Sequence, residues 1–162
     1  MVVVFVSHSR RDENIINFFT KVFSRIGIKS IFMELEDLSY KDAGNEIANN
    51  IREECDAVIV LLGKNVLYAP RRSTRHTRNW VAFEVGVAAG CKKSVWVFEN
   101  SRIPIYFPIP YVTDYYKYKL NDGSDVHTIS NILENKIMGK AIEIKKPIEF
   151  RCKASQAPSL RC

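Results

Sequence analysis

Two kinds of apolar pattern alternate along the chain, and that alternation restricts its fold more than any other feature. Val2 to Val6, Ala57 to Leu62 and Ser94 to Phe98 are nearly continuous runs of β-branched, aliphatic or aromatic residues. Such runs predict strands covered on both faces, because a half-solvated strand alternates apolar with polar residues. Ile28 to Met33 reads as a second strand in chain order and Tyr115 to Leu120 as a short fifth. Between them the period changes. Ile15, Ile16, Phe18, Phe19, Val22, Phe23 and Ile26 recur at helical spacing up to Gly27, and Ser9-Arg-Arg-Asp12 ahead of them has capping-box spacing with Asp in place of the usual Glu or Gln. Ile47, Ile51 and Cys55 mark a weaker helix. Another starts at Trp80 and ends near Gly90, and Val126, Ile129, Ile132, Leu133 and Ile137 mark a last one stopped by Gly139. Glu34 to Gly44 reads as a loop, Lys64 to Arg78 as a polar and basic connection, and Ile103 to Pro110, with three prolines, as extended loop.

Strands alternating with helices predict an α/β domain, a flavodoxin-like three-layer sandwich with a central, mainly parallel five-stranded sheet and helices on both faces. With strand order 2-1-3-4-5 the switch point falls between the first and third strands, and a ligand is expected outside their carboxyl ends. Those ends are Ser7-His8-Ser9 and Gly63-Lys64-Asn65. Hydroxyls, an imidazole, a glycine and a lysine suit phosphate or ribose oxygens, with N–H groups of the first helix available to an anion. The plainer alternative makes Ser9 a helix cap and His8 a solvated loop residue.

A length of 162 residues, 46% hydrophobic and 26% charged, suits one domain able to bury a full core. We assign residues 1–140 to it and 141–162 to a C-terminal tail of unknown structure. The net charge of +6 favours anionic partners without choosing among them. Cys55, Cys91, Cys152 and Cys162 form no CxxC pair, which suits free thiols in a reducing compartment, and the tail's two cysteines make a poor metal site, so none is assigned. No apolar run is long enough to span a membrane, and the N-terminus lacks a signal peptide's basic region. The expected location is the cytosol, with no membrane partner. The basic run from Arg71 to Arg78 raises nucleic-acid binding as a rival, disfavoured because no aromatics interleave it and a loop is expected there.

The sharpest chemical signal is Glu84, the single charge between Trp80 and Cys91. An unpaired carboxylate among apolar groups is costly or has its pKa forced upward, which makes the position a candidate for chemistry. Trp80, one helical turn earlier, lies on the same face and can wall a pocket with it. The bland alternative leaves Glu84 facing water and Trp80 partly in the core.

These residues carry a family resemblance. Val-Phe-Val-Ser-His-Ser followed by Asp12 resembles box 1 of Toll/interleukin receptor (TIR) domains, especially microbial ones; Glu34 to Gly44 falls where that family has its BB loop; and Trp80-x-x-x-Glu84 resembles the pattern that supplies the catalytic glutamate in TIR enzymes acting on NAD. The resemblance covers about residues 2 to 138. It implies cleavage of the nicotinamide–ribose bond, by hydrolysis or by cyclisation, with Glu84 catalytic and NAD as substrate rather than cofactor. Ser7, His8, Ser9, Arg10 and Trp80 are implied as substrate-binding, with Asp37 and Leu38 as contacts from the BB loop. It further implies homotypic self-association, an effector that senses an ADP-ribose product, and a role in antiviral or stress signalling. Two alternatives stay open: a non-catalytic TIR assembly module, and a nucleoside deoxyribosyltransferase-like enzyme, which shares the general fold and also uses a glutamate.

Overall fold

Hydrogen-bonding groups of a fully apolar strand can be satisfied only by other strands, so the most apolar runs belong at the centre of the sheet. The computed structural model describes residues 1–33, 42–67, 71–100, 111–120 and 123–139, the side chains at 67, 71–76 and 138 excepted. Among the described residues the strands are β1 (Val3–Ser7), β2 (Lys29–Ile31), β3 (Ala57–Leu62), β4 (Ser94–Asn100) and β5 (Asp114–Tyr118). They pair in the order β2-β1-β3-β4-β5, all parallel. The fold is a three-layer α/β sandwich of the flavodoxin-like type. The central strand β3 is buried at every residue.

Alternation sends the two sets of side chains into two cores. Val4, Val6, Ile59, Leu61, Trp96 and Phe98 face one way, against Phe19 and Phe23 of α1 (Glu13–Ile26) and Ile129 of α5 (Gly123–Ile132), whose π-helical continuation Leu133–Met138 adds Leu133 and Ile137. Phe5, Val58, Val60, Leu62, Val95 and Val97 face the other way, against Ile47 of α2 (Ala43–Asn49), Ile51 of its π-helical continuation Asn50–Glu54, and Val81, Val85 and Ala88 of α4 (Arg71–Gly90). Phe19, fully buried, meets the rings of Phe18, Phe23, Phe98 and Tyr118 at centroid distances of 5.1 to 5.8 Å. Gly27 ends α1 in the left-handed region, at φ 73°, where its N–H reaches the carbonyls of Phe23 and Ser24.

Several expectations need correction. The basic stretch before Trp80 is not a loop: Lys64–Leu67 forms a short helix, α3, and α4 begins at Arg71, so the run to Arg78 occupies its first turns. Arginine is a good helix former, but a segment without apolar periodicity gives no helical signal by pattern. Gly44 belongs to α2 rather than to a loop, while the last helical segment ends at Met138 with Gly139 as its C-cap, at helical dihedrals rather than in the left-handed region. The capping box does not form. Asp12 precedes α1 without a side-chain cap, and its N–H donates to the Ser9 carbonyl at 2.9 Å, which makes Ser9 part of a turn. The Asp12 carboxyl is engaged elsewhere. Residues 34–41, 101–110 and 141–162, which hold the expected BB loop with Asp37 and Leu38, the proline-rich segment and the tail, lie outside the described residues. Among the described residues no helix is long and apolar enough to cross a membrane.

Candidate active site

β1 ends at Ser7, whose side chain follows Phe5 onto the α4 side of the sheet. It is 1% exposed, and its hydroxyl has no hydrogen bond of ordinary geometry. α4 runs back across the same face. Val81, Val85 and Ala88 make its apolar stripe, and Glu84 falls within that stripe. Glu84 is accordingly 8% exposed, and burial pushes its carboxyl up from the usual 4.5 to about 8. The opposing influence among the described residues comes from the Ser7 side chain, which is close enough to favour the ionised form. The structure therefore brings together Ser7 and Glu84, 77 positions apart in the chain, at the carboxyl end of β1 beside the switch point. Protonated at neutral pH without a substrate, Glu84 becomes a strong counter-charge once a cation is placed beside it.

The other expected site residues divide. Ser9 is buried and Arg10 exposed in the turn that leaves β1. His8 is half-buried, with Nδ1 2.9 Å from the Val6 carbonyl and its ring edge-on to Phe32 at 5.2 Å, a placement toward β2 rather than onto α4. Trp80 is half-buried at the margin of the α4 core and meets the ring of Phe83 edge-on at 5.6 Å. Phe83 is 39% exposed, so this aromatic pair borders solvent, with Trp80 one turn before Glu84 and Phe83 next to it in the chain. A groove of about 750 Å³ along α2, lined by Asp42, Glu46, Asn49 and Glu53 among others, contains none of the expected site residues.

Asp12 is a site-building residue that pattern reading did not assign. Its carboxylate accepts from the backbone N–H of Asn65 at 3.2 Å and from Asn65 Nδ2 at 2.7 Å, while the same Nδ2 donates to the Arg11 carbonyl at 2.9 Å. Burial raises its pKa, against the hydrogen bonds from Asn65 and the charge of Lys64. This clamp ties the loop after β1 to the loop after β3, the two that flank the switch point. Gly63 is required there by close approach: a Cβ on it would lie 2.4 Å from Asp12 Cγ and 2.6 Å from Ile15 Cδ1.

A second buried carboxylate, Glu99, stands at the carboxyl end of β4, 1% exposed, and accepts a hydrogen bond from the Tyr115 hydroxyl. The same signal that picks out Glu84, a lone charge in an apolar run, was present in Val-Trp-Val-Phe-Glu99. Ending the strand at Phe98 placed Glu99 outside it.

No protein-family model matches the chain, and no curated protein matches it. Solved structures do. A CMP N-glycosidase from Clostridium botulinum is 15% identical, with 78% of this chain and 97% of that one covered at a TM-score of 0.51. A diflavin flavoprotein A3 from Nostoc sp. is 12% identical over 88% of this chain and 93% of that one, at 0.56. A flavodoxin-like domain from Synechococcus sp. is 8% identical over 88% and 99%, at 0.54. These likenesses show the shared fold.

Proposed function

We propose that the chain is a TIR-type enzyme that cleaves the nicotinamide–ribose bond of NAD, by hydrolysis or by cyclisation, with Glu84 as the catalytic residue. The observation that carries this reading is a carboxyl buried in an apolar helix face, pushed up to about 8 and facing a buried hydroxyl at the carboxyl end of β1. Nicotinamide leaves a cationic pyridinium as a neutral molecule, so the reaction needs no general acid, unlike glycoside hydrolysis with its protonated oxygen leaving group. One oriented carboxylate suffices to bind the ribose hydroxyls and to stabilise the oxocarbenium-like transition state. The burial that raises the Glu84 pKa also strengthens that attraction, because in a water-poor site a positive charge beside Glu84 draws it into the ionised form. Ser7 holds the carboxylate or a ribose hydroxyl. The Trp80–Phe83 pair offers a ring face for nicotinamide, and Arg10 an exposed charge for phosphate. Cytosolic signalling through an ADP-ribose product, or through loss of NAD, is the context that goes with this reading.

A nucleotide N-glycosidase acting on a mononucleotide is the second reading. The likeness to the Clostridium CMP N-glycosidase favours it, and the class of bond broken is the same. Chromatography of nicotinamide and every ADP-ribose product, with purified protein and a folded Glu84→Gln variant, tests the first reading. Nicotinamide release that the variant abolishes is the expected result, and the second product distinguishes hydrolysis from cyclisation. Absence of release at high protein concentration, with CMP or other nucleotides cleaved instead, would move the assignment to the second reading; no cleavage at all would leave an assembly module.

A further inference from the structure

Three buried side-chain oxygens among the described residues make no hydrogen bond of ordinary geometry: Ser7 Oγ, Glu99 Oε1 and Tyr118 Oη. All three stand on the last or next-to-last residue of their strands. Buried polar atoms without partners are uncommon, and the carboxyl edge of an open parallel sheet is where ligands of this fold bind. Two of the three share a face. Ser7 follows Phe5, and Glu99 follows Val95 and Val97, into the α4 core.

The register separates them by a definite length. Ser7 pairs with Val60 and Val60 with Val97, so Glu99 lies two strands across and two residues further up. At about 4.8 Å per strand and 3.3 Å per residue, that is roughly 12 Å between the two Cα positions. A reacting ribose at Ser7 and Glu84 therefore leaves Glu99 beyond the reach of a mononucleotide. A dinucleotide, which has a second ribose past its pyrophosphate, spans the gap.

The surroundings of Glu99 match that second ribose. The Tyr115 hydroxyl donates to Oε2 and orients the group; burial and the hydrogen bond to Glu99 hold the tyrosine pKa above its ordinary range, so it stays a donor. Oε1 has the ammonium of Lys117 at 4.0 Å and no hydrogen bond. Lys117 is 64% exposed, so a ligand hydroxyl can take its place at Oε1 without opening the core.

We infer that Glu99 is the specificity-determining residue for the distal half of the substrate: its carboxylate takes hydroxyls of the second ribose, with Lys117 beside it facing the pyrophosphate. This rests on the reading of Glu84 as an NAD-cleaving centre and commits it to a dinucleotide. A carboxylate accepts from ribose hydroxyls and repels a phosphate placed on one of them.

The test compares nicotinamide release from NAD, NADP and nicotinamide mononucleotide by the wild type and a Glu99→Gln variant, with melting curves alongside. For the wild type, kcat/KM with NADP should fall at least about tenfold below that with NAD. In the variant, KM for NAD should rise about tenfold with kcat held within about twofold, and both the preference for NAD over the mononucleotide and the gap to NADP should narrow accordingly. Equal use of NAD and NADP by the wild type would overturn the assignment, and that arm needs no variant to fold. So would a Glu99→Gln loss of the same size on NAD and on the mononucleotide. If the wild type cleaves no pyridine nucleotide, the Glu84 reading fails first and this one with it, which separates the two failures.

Discussion

Replacing Glu84 by glutamine should stabilise the protein in a pH-dependent way while removing its chemistry. The carboxyl titrates at about 8 in the fold against an ordinary 4.5, because burial penalises the charged form. Between those two values the folded state binds more protons than the unfolded state, so stability falls as pH rises. The contribution of the bound proton is fully present below about 4.5 and is lost as pH passes through about 8. At 1.36 kcal/mol per unit, the whole gap corresponds to about 5 kcal/mol, and the part expressed by pH 7 to about 3 kcal/mol. Glutamine keeps the shape without the ionisation. The variant should match the wild type near pH 4.5 and melt higher at pH 7, on the order of 6–12 °C at 2–4 °C per kcal/mol for a chain of this size. Thermal melts of wild type and variant by circular dichroism across pH 4.5 to 8.5 measure this. A melting difference that stays flat over that range would show that Glu84 titrates as an ordinary surface glutamate, and the argument for a poised carboxylate would collapse. The expected gain also explains why such a residue is informative: its side chain works against the fold.

Activity should follow the same ionisation, with kcat/KM for NAD rising about fivefold between pH 7 and pH 8 as the free enzyme's carboxyl deprotonates, measured by initial rates at low substrate; a flat profile would count against Glu84 as the essential group. Asp12→Ala removes the acceptor for both Asn65 donors and should cost about 2–3 kcal/mol, whereas Asp12→Asn, which keeps Oδ1 for both, should stay within about 1 kcal/mol by urea denaturation. Gly63→Ala drives a methyl group into Asp12 and Ile15 and should cost about 1–3 kcal/mol, with a smaller penalty in the Asp12→Ala background; equal penalties in both would show that the two residues do not press on one another. Phe19→Ala should cost about 3–5 kcal/mol through loss of its ring contacts in the α1 core, read from the same denaturation curves.

Local pattern reached far into this protein because strands and helices are specified by period. Ala57–Leu62 stands where the continuous apolar run placed it, α1 ends at Gly27 because a left-handed residue closes that turn, and the sheet has the 2-1-3-4-5 order expected of a flavodoxin-like alternation. Glu84 was conspicuous for the same reason: a charge interrupting an apolar face is visible without knowing what the face packs against. Where composition and period disagree, pattern reading failed, as at the arginine-rich start of α4, helical by propensity but without an apolar stripe.

What the chain could not disclose by itself are the partners that meet only across the sheet. Asp12 looked like a helix-capping residue, because capping is a four-residue signal, whereas its actual bonds go to Asn65, 53 positions away. Ser7 and Glu84 were each visible alone; their approach, and the burial that sets the carboxyl at about 8, depend on α4 crossing back over β1. Glu99 acquires its meaning only from the register that carries Ser7 through Val60 to Val97 and from a tyrosine on the next strand. Secondary structure is decided by neighbours within a few residues. A site at the carboxyl edge of a parallel sheet is decided by strand order, register and the desolvation that packing imposes, and these belong to the tertiary structure.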